Sequence, residues 1–200
     1  MQDEKITNNE WSEKKLRNIH DLQGRLFGSR FIGASFAAVS LPKQHAERFI
    51  EWIKNPNMFL VIFGPPGIGK TYMCSAMIEY AAQRFATFRA FSERQLFERI
   101  RQGISSNIGD FLTNLHLLID DDLLILDDIG SSSHNEWREG LLMDAIDFRY
   151  AKKGATIFTS NLSKDDFYKN YGARIGTRLF AKENTILDLS DMPNQRDFGK

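Results

Sequence analysis

Gly64-Pro65-Pro66-Gly67-Ile68-Gly69-Lys70-Thr71 stands between the apolar run Met58-Phe59-Leu60-Val61-Ile62-Phe63 and the helix-compatible segment Tyr72-Met73-Cys74-Ser75-Ala76-Met77. Strand, glycine loop and helix in that order carry the G-x-x-x-x-G-K-[ST] spacing of a Walker A phosphate loop. Gly64, Gly67 and Gly69 permit backbone angles that turn successive amide N–H groups inward, which makes a concave anion site. A helix starting near Lys70 adds its positive N-terminal end. Lys70 is placed to reach the β- and γ-phosphates, and the Thr71 hydroxyl to ligate Mg²⁺. The candidate nucleotide contacts are thus Gly64, Pro65, Pro66, Gly67, Ile68, Gly69, Lys70, Thr71 and Tyr72. The expected ligand is a nucleoside triphosphate.

Leu123-Leu124-Ile125-Leu126-Asp127-Asp128 is the second informative stretch. A continuous apolar run fits a central parallel strand covered by helices on both faces. Acids at its carboxyl end project toward a ligand bound over the sheet. Asp127 reads as the Walker B aspartate that holds Mg²⁺, and Asp128 as the carboxylate that orients or deprotonates the attacking water. Asp120-Asp121-Asp122 lies at the opposite end of the same strand and is expected to be solvated.

The outer bounds agree with one α/β domain, or one domain plus an arm, in 200 residues. The single cysteine, Cys74, excludes an intramolecular disulfide framework and a cysteine-rich zinc site. Met1-Gln2-Asp3-Glu4-Lys5 is polar, and no apolar run approaches the length that spans a bilayer, so a cytoplasmic, membrane-free protein is expected. Basic and acidic residues balance at 26 each, which argues against a globally basic nucleic-acid binder. Their distribution is uneven. Residues 110–147 hold ten acids against one base, Arg138, and residues 149–182 hold eight bases against two acids, Asp165 and Asp166. This suits either a head-to-tail assembly of acidic on basic faces or two solvated faces that never meet.

Residues 1–30 read as an arm: Leu16, Ile19, Leu22 and Leu26 fall at helical spacing among Lys14, Lys15, Arg17 and Arg25. The arm either docks a partner or folds back on its own domain. Residues from Phe31 to Leu41 are irregular, and Pro42 to Lys54 reads as a helix with Ala46, Phe49, Ile50 and Ile53 toward the core. Ala86–Phe91 is a second strand, after which Ser92 and Gln95 fit a capping box opening a helix through Arg101. Arg89, Arg94, Arg99 and Arg101 beside Phe91 suit either a single-stranded nucleic-acid patch or a solvated helix face. Glu136–Tyr150 reads as a helix and Ala155–Asn161 as a strand. Asn161 at its end is placed either to hydrogen-bond the attacking water or γ-phosphate, or simply to turn the chain before the Ser163/Asp166 cap. Arg174 and Arg178, four apart on one helical face, suit bidentate phosphate contact, supplied to a neighbour as an arginine finger, or ion pairing to the acidic segment. Thr185–Leu189 is the last strand.

Taken in order, Walker A, Walker B followed by Ile129-Gly130, the strand ending Thr159-Ser160-Asn161, and Arg174 with Arg178 resemble an AAA+ ATPase. More narrowly, Ala34-Ser35-Phe36, Leu124–Gly130 and Thr159-Ser160-Asn161-Leu162 resemble the DnaC/DnaI helicase-loader branch, to which the transposition ATPase IstB is similar. The resemblance covers residues 31–200 and implies a RecA-like, five-stranded parallel sheet flanked by helices, without a C-terminal helical lid. It implies ATP and Mg²⁺ as ligands, hydrolysis at inter-subunit sites, and ATP-dependent self-assembly on single-stranded DNA. It further implies that the arm grips a hexameric replicative helicase for loading. By position, Asn161 becomes the sensor I residue, Arg178 the trans finger with Arg174 beside it, and Arg196 an arginine that reaches the nucleotide. Asp128 departs from the glutamate more usual there, which points to slow hydrolysis. Two other readings stay open: an IstB-like transposition helper with the same core, and a small-molecule P-loop kinase.

Overall fold

The computed structural model describes residues 8–106, 115, 119–131 and 135–195. Five strands, β1 (Phe59–Phe63), β2 (Phe88–Ser92), β3 (Leu123–Ile129), β4 (Ala155–Ser160) and β5 (Thr185–Asp188), form one sheet in the order β2-β3-β4-β1-β5. Every pairing is parallel. Six α-helices accompany them among the described residues: α1 (Asn8–Phe27), α2 (Lys43–Lys54), α3 (Lys70–Arg84), α4 (Glu93–Ser106), α5 (Glu136–Ala151) and α6 (Lys164–Leu179). No α-helix follows β5 among the described residues.

Strand alternation sorts the core into two halves. Phe59, Val61 and Phe63 of β1 face a cluster with Leu124 and Leu126 of β3, Leu96, Phe97 and Ile100 of α4, and Leu142 and Ile146 of α5. Leu60 and Ile62 face the other way, with Leu123, Ile125, Met77 and Ile78. Because β1 and the first part of β3 are covered on both faces, Phe59–Phe63 and Leu123–Leu126 are apolar throughout rather than alternating.

Both expected caps form. The Ser92 N–H donates to Gln95 Oε1 (2.8 Å) while the Gln95 N–H donates to Ser92 Oγ (3.2 Å). Ser163 Oγ accepts from the Asp166 N–H (3.1 Å) and opens α6. α4 runs to Ser106, past the expected end at Arg101. In α2 the buried side chains are Phe49 and Trp52, whereas Ile50 is 49% exposed. The helix is rotated so that Trp52 fills the core position the spacing gave to Ile50, its indole N–H donating to the Asn57 carbonyl (3.0 Å).

The acidic and basic segments meet inside one chain. Lys152 pairs with Asp120 (2.7 Å), Arg89 with Asp121 (3.2 Å), and both Arg174 and Arg178 with Asp147. Arg149, 2% exposed, donates to the carbonyls of Ile119, Asp121 and Ala155 and to Thr156 Oγ1. Part of the acidic segment is thus paired with part of the basic segment within the chain. Asp120 and Asp122 are exposed, as expected, with Asp122 accepting from the Thr87 N–H (3.0 Å), whereas Asp121 is less exposed beside Arg89. Arg89 of the candidate nucleic-acid patch is held in this network, and Arg94 lies 3.9 Å from Glu98.

The second half of α1 lies on the domain. Ile19 is buried in the cluster beside α3, and Leu22, Leu26 and Phe27 pack against it. Glu13 to Asn18, including Leu16, are exposed. No helix among the described residues is long and apolar enough to cross a membrane.

Candidate nucleotide and catalytic site

The strand order reverses at β1, and the site lies at the carboxyl end of the sheet there, where ligands bind in open α/β folds. Gly64, Gly67 and Gly69 have φ of 147°, 92° and 97°. These are angles that only glycine adopts without strain, and the Gly69 turn caps the N-terminus of α3. A cavity of about 590 Å³ opens over this loop. It is lined by Pro66 to Met73, by Asp128, Thr159 and Asn161 at the strand ends, and by Arg30, Phe31, Ala38 to Leu41 and Gln195. Within the loop, the Gly64 and Pro65 carbonyls accept from Lys70 Nζ (2.6 and 2.9 Å). The ammonium is thereby held across the loop, beside the backbone groups that would receive phosphate.

The carboxylates are set by a bulge. Pairing between β3 and β4 slips between Leu126 and Ile129, and Asp128 takes φ of 60°. Aspartate tolerates this left-handed geometry better than most residues, and strained backbone of this kind is concentrated at functional sites. The slip lets Thr159 Oγ1 accept from the Asp128 N–H (2.8 Å) while donating to Asp127 Oδ1 (2.6 Å). Thr71 Oγ1 donates to Asp127 Oδ2 (3.0 Å), and Asn161 Nδ2 to Asp128 Oδ1 (2.5 Å). Asp127 is 6% exposed. Burial pushes its carboxyl above the usual range, opposed by the hydroxyls of Thr159 and Thr71 and by Cys74, and reinforced by the neighbouring Asp128 charge.

A hydroxyl and a buried carboxylate in contact suit Mg²⁺. This ion takes one or two protein oxygens and completes its shell with phosphate and water, so no larger cage of ligands is called for. Among the described residues no group of three or more His, Cys, Asp or Glu side chains is arranged for a metal. The chain's residues therefore fit ATP·Mg²⁺, with Thr71 and Asp127 as the metal-side pair.

The sequence-derived residues divide in space. The loop from Gly64 through Tyr72, Asp127, Asp128 and Asn161 converge on one site. Arg174 and Arg178 do not line it. They sit on α6 beyond a kink at Gly172 (φ 74°), paired to Asp147 of α5. Arg196 lies outside the described residues. Thr159, which positions both aspartates, was legible only as part of a polar strand end. The wall from Arg30 to Leu41 carried no periodic signal.

A parallel sheet in this order, with a phosphate loop after β1 and polar groups at the ends of β3 and β4, defines a protein of the P-loop nucleotide-binding class. Within that class, the chain belongs to the family of IstB-like ATP-binding proteins, whose sequence pattern matches residues 35–180. Among curated relatives, it is similar to the replicative helicase loader DnaC of Buchnera aphidicola subsp. Acyrthosiphon pisum, with 27% identity over 139 residues. That alignment takes in 68% of this chain and 54% of the relative, so the chain spans about half the length of the curated relatives it first matches. Among solved structures, the DnaC helicase loader superposes with a TM-score of 0.65 at 21% identity, over 80% of this chain and 98% of that one. The replication initiator DnaA bound to AMPPCP and single-stranded DNA gives the same TM-score at 17% identity, over 76% and 48%. These superpositions speak to the fold.

Proposed function

We propose that this chain is an ATP-dependent loader of a replicative DNA helicase onto single-stranded DNA, working in the cytoplasm and hydrolysing ATP at sites shared between subunits. The observation that carries the reading is the division of the site. The groups that bind triphosphate and activate water lie together, while the two arginines suited to the γ-phosphate stand outside the cavity. Among the described residues that line it, the cationic side chains are Lys70 and Arg30. In this reading the arginine finger comes from a neighbouring copy. The similarity to DnaC supports the client, and DnaA, bound in its structure to single-stranded DNA, supports the nucleic acid.

In this reading the inward-turned amides and Lys70 hold the phosphates. Thr71 and Asp127 would hold Mg²⁺, which would supply charge neutralisation to the triphosphate. Asn161 fixes Asp128 through Oδ1 and leaves Oδ2 to accept a proton from the attacking water. Arg178 of the adjacent subunit, with Arg174 beside it, stabilises the charge that develops, an effect of about 10³ to 10⁵ in rate where such fingers act. The exposed stretch Glu13 to Asn18 of α1, with residues 1–30 as the arm and 31–200 as the ATPase core, is the candidate helicase grip.

The test is size in solution with and without ATP·Mg²⁺ and single-stranded DNA, for wild type and Arg178→Ala. ATP-dependent growth to higher oligomers, lost in the variant, is expected; a monomer under every condition refutes assembly. The IstB-like family match favours a second reading, a transposition helper with the same core. Pull-down against a replicative helicase and a transposase separates the two.

A further inference from the structure

One wall of the nucleotide cavity is made by chain with little regular structure. Residues 29–41 contain two short 3₁₀ turns, Ser29–Phe31 and Phe36–Ala38, and contribute Arg30, Phe31 and Ala38 to Leu41 to the lining. A segment of this kind needs side chains from elsewhere to satisfy its backbone. Gln23 of α1 supplies them. Its side chain is 1% exposed, and its amide is used at both ends. Nε2 donates to the Ala34 carbonyl (2.8 Å) and to the Ser75 carbonyl (3.1 Å), while Oε1 accepts from the Gly33 N–H (2.8 Å). One side chain thus joins α1, the wall and α3. Two α3 residues grip the same segment: Ser75 Oγ donates to the Phe31 carbonyl (3.0 Å), and Tyr72 Oη accepts from the Ser35 N–H (3.3 Å). Tyr72 follows Thr71 directly and itself lines the cavity.

The phosphate loop and residues 30–41 line the same cavity from separate parts of the chain. The loop takes the triphosphate; the wall, with Phe31, Val39 and Leu41, offers apolar surface to the nucleoside. We propose that Gln23 is a positioning residue for nucleoside binding, and that through it α1 is energetically coupled to nucleotide. Coupling of this kind is reciprocal: whatever displaces α1 lowers affinity for the nucleoside by the same factor by which nucleotide resists the displacement. The inference rests on the nucleotide-binding reading of the site, but not on the identity of the client.

The test compares ATP·Mg²⁺ with inorganic tripolyphosphate·Mg²⁺, which lacks the nucleoside, by calorimetric titration of wild type and Gln23→Met. Methionine is similar in length and deletes all three hydrogen bonds. ATP affinity is expected to fall by about tenfold, the scale of a lost buried positioning contact, with tripolyphosphate affinity unchanged. A loss shared equally by both ligands, or by neither, overturns the proposal and leaves the phosphate-loop assignment standing. A wild type that binds neither ligand overturns both. Hydrogen exchange on the wild-type chain gives a readout without substitution. Amides of the second half of α1 are expected to slow with ATP and not with tripolyphosphate; equal protection by the two ligands refutes the coupling.

Discussion

Thr159→Val removes one hydroxyl from a position that is 1% exposed and keeps the shape of the side chain. Two groups lose a partner together, the Asp128 N–H at 2.8 Å and Asp127 Oδ1 at 2.6 Å. A buried group left without its hydrogen bond costs about 1–3 kcal/mol, more for a charged one, so the variant is expected to lose about 2–5 kcal/mol. For a domain of this size that is a fall in melting temperature of roughly 5–15 °C. The loss has a pH signature. Burial already raises the Asp127 carboxyl above its unfolded value, and the Thr159 hydroxyl opposes that rise by stabilising the charged form. Removing it raises the folded pKa further. For an acid raised on folding, the native state holds the proton more tightly, so this contribution to stability is fully present below the unfolded value. It is lost as pH rises through the folded one. The deficit of the variant should therefore be largest at neutral pH and narrow as the pH is lowered toward the ordinary carboxylate range. Urea unfolding of both proteins from pH 5 to pH 8 measures it. A deficit below about 0.5 kcal/mol, or one that widens toward low pH, refutes the role given to Thr159.

Asp128→Asn should keep ATP binding, since Asp128 is not assigned to the phosphates or the metal, and lose hydrolysis by about 10²- to 10⁴-fold; fluorescent-nucleotide titration beside phosphate release checks both halves. Gly64→Ala places a Cβ 2.8 Å from the Leu189 carbonyl carbon, a backbone atom, at φ of 147°. Its melting temperature should drop and its nucleotide affinity with it, whereas a variant as stable and as tight-binding as wild type would show that the loop is not held in this conformation.

How far the residues announced this arrangement depends on where the constraint on each lies. The phosphate loop, the continuous apolar run of β3 and the two capping boxes are local: the residues that need a conformation and those that supply it lie within a few positions. The strand, the glycine turn and the caps form at those positions. The wall at residues 29–41 is different, because Gln23 reaches Ala34 across eleven positions and Ser75 across fifty-two. No periodicity registers such a tie. In α2, Phe49, Ile50, Trp52 and Ile53 permit more than one apolar stripe, and what decides between Ile50 and Trp52 is how the helix sits against the rest of the fold. Thr159 was visible as a polar residue ending a strand, but its two hydrogen bonds exist only because the β3–β4 register slips at the aspartates.

The uneven charge shows the same limit and bears on the proposed mechanism. The acidic and basic segments are consecutive in sequence, and the fold pairs Asp120 and Asp147 of the first with Lys152, Arg174 and Arg178 of the second, so part of the asymmetry that suggests contact between molecules is met within one. Arg178 and Asp147 nonetheless keep partly solvated side chains, 32% and 27% exposed, and Arg174 is 66% exposed. Ion pairs this accessible contribute about 0–1 kcal/mol. Asp147 is then too weak a partner to sequester the arginines, yet sufficient to favour one arrangement of two long side chains on α6. A triphosphate on an adjacent copy carries several negative charges in a partly enclosed site and would outcompete it. Under the loader reading, the pairing with Asp147 holds the finger in place until a neighbour arrives rather than preventing its use.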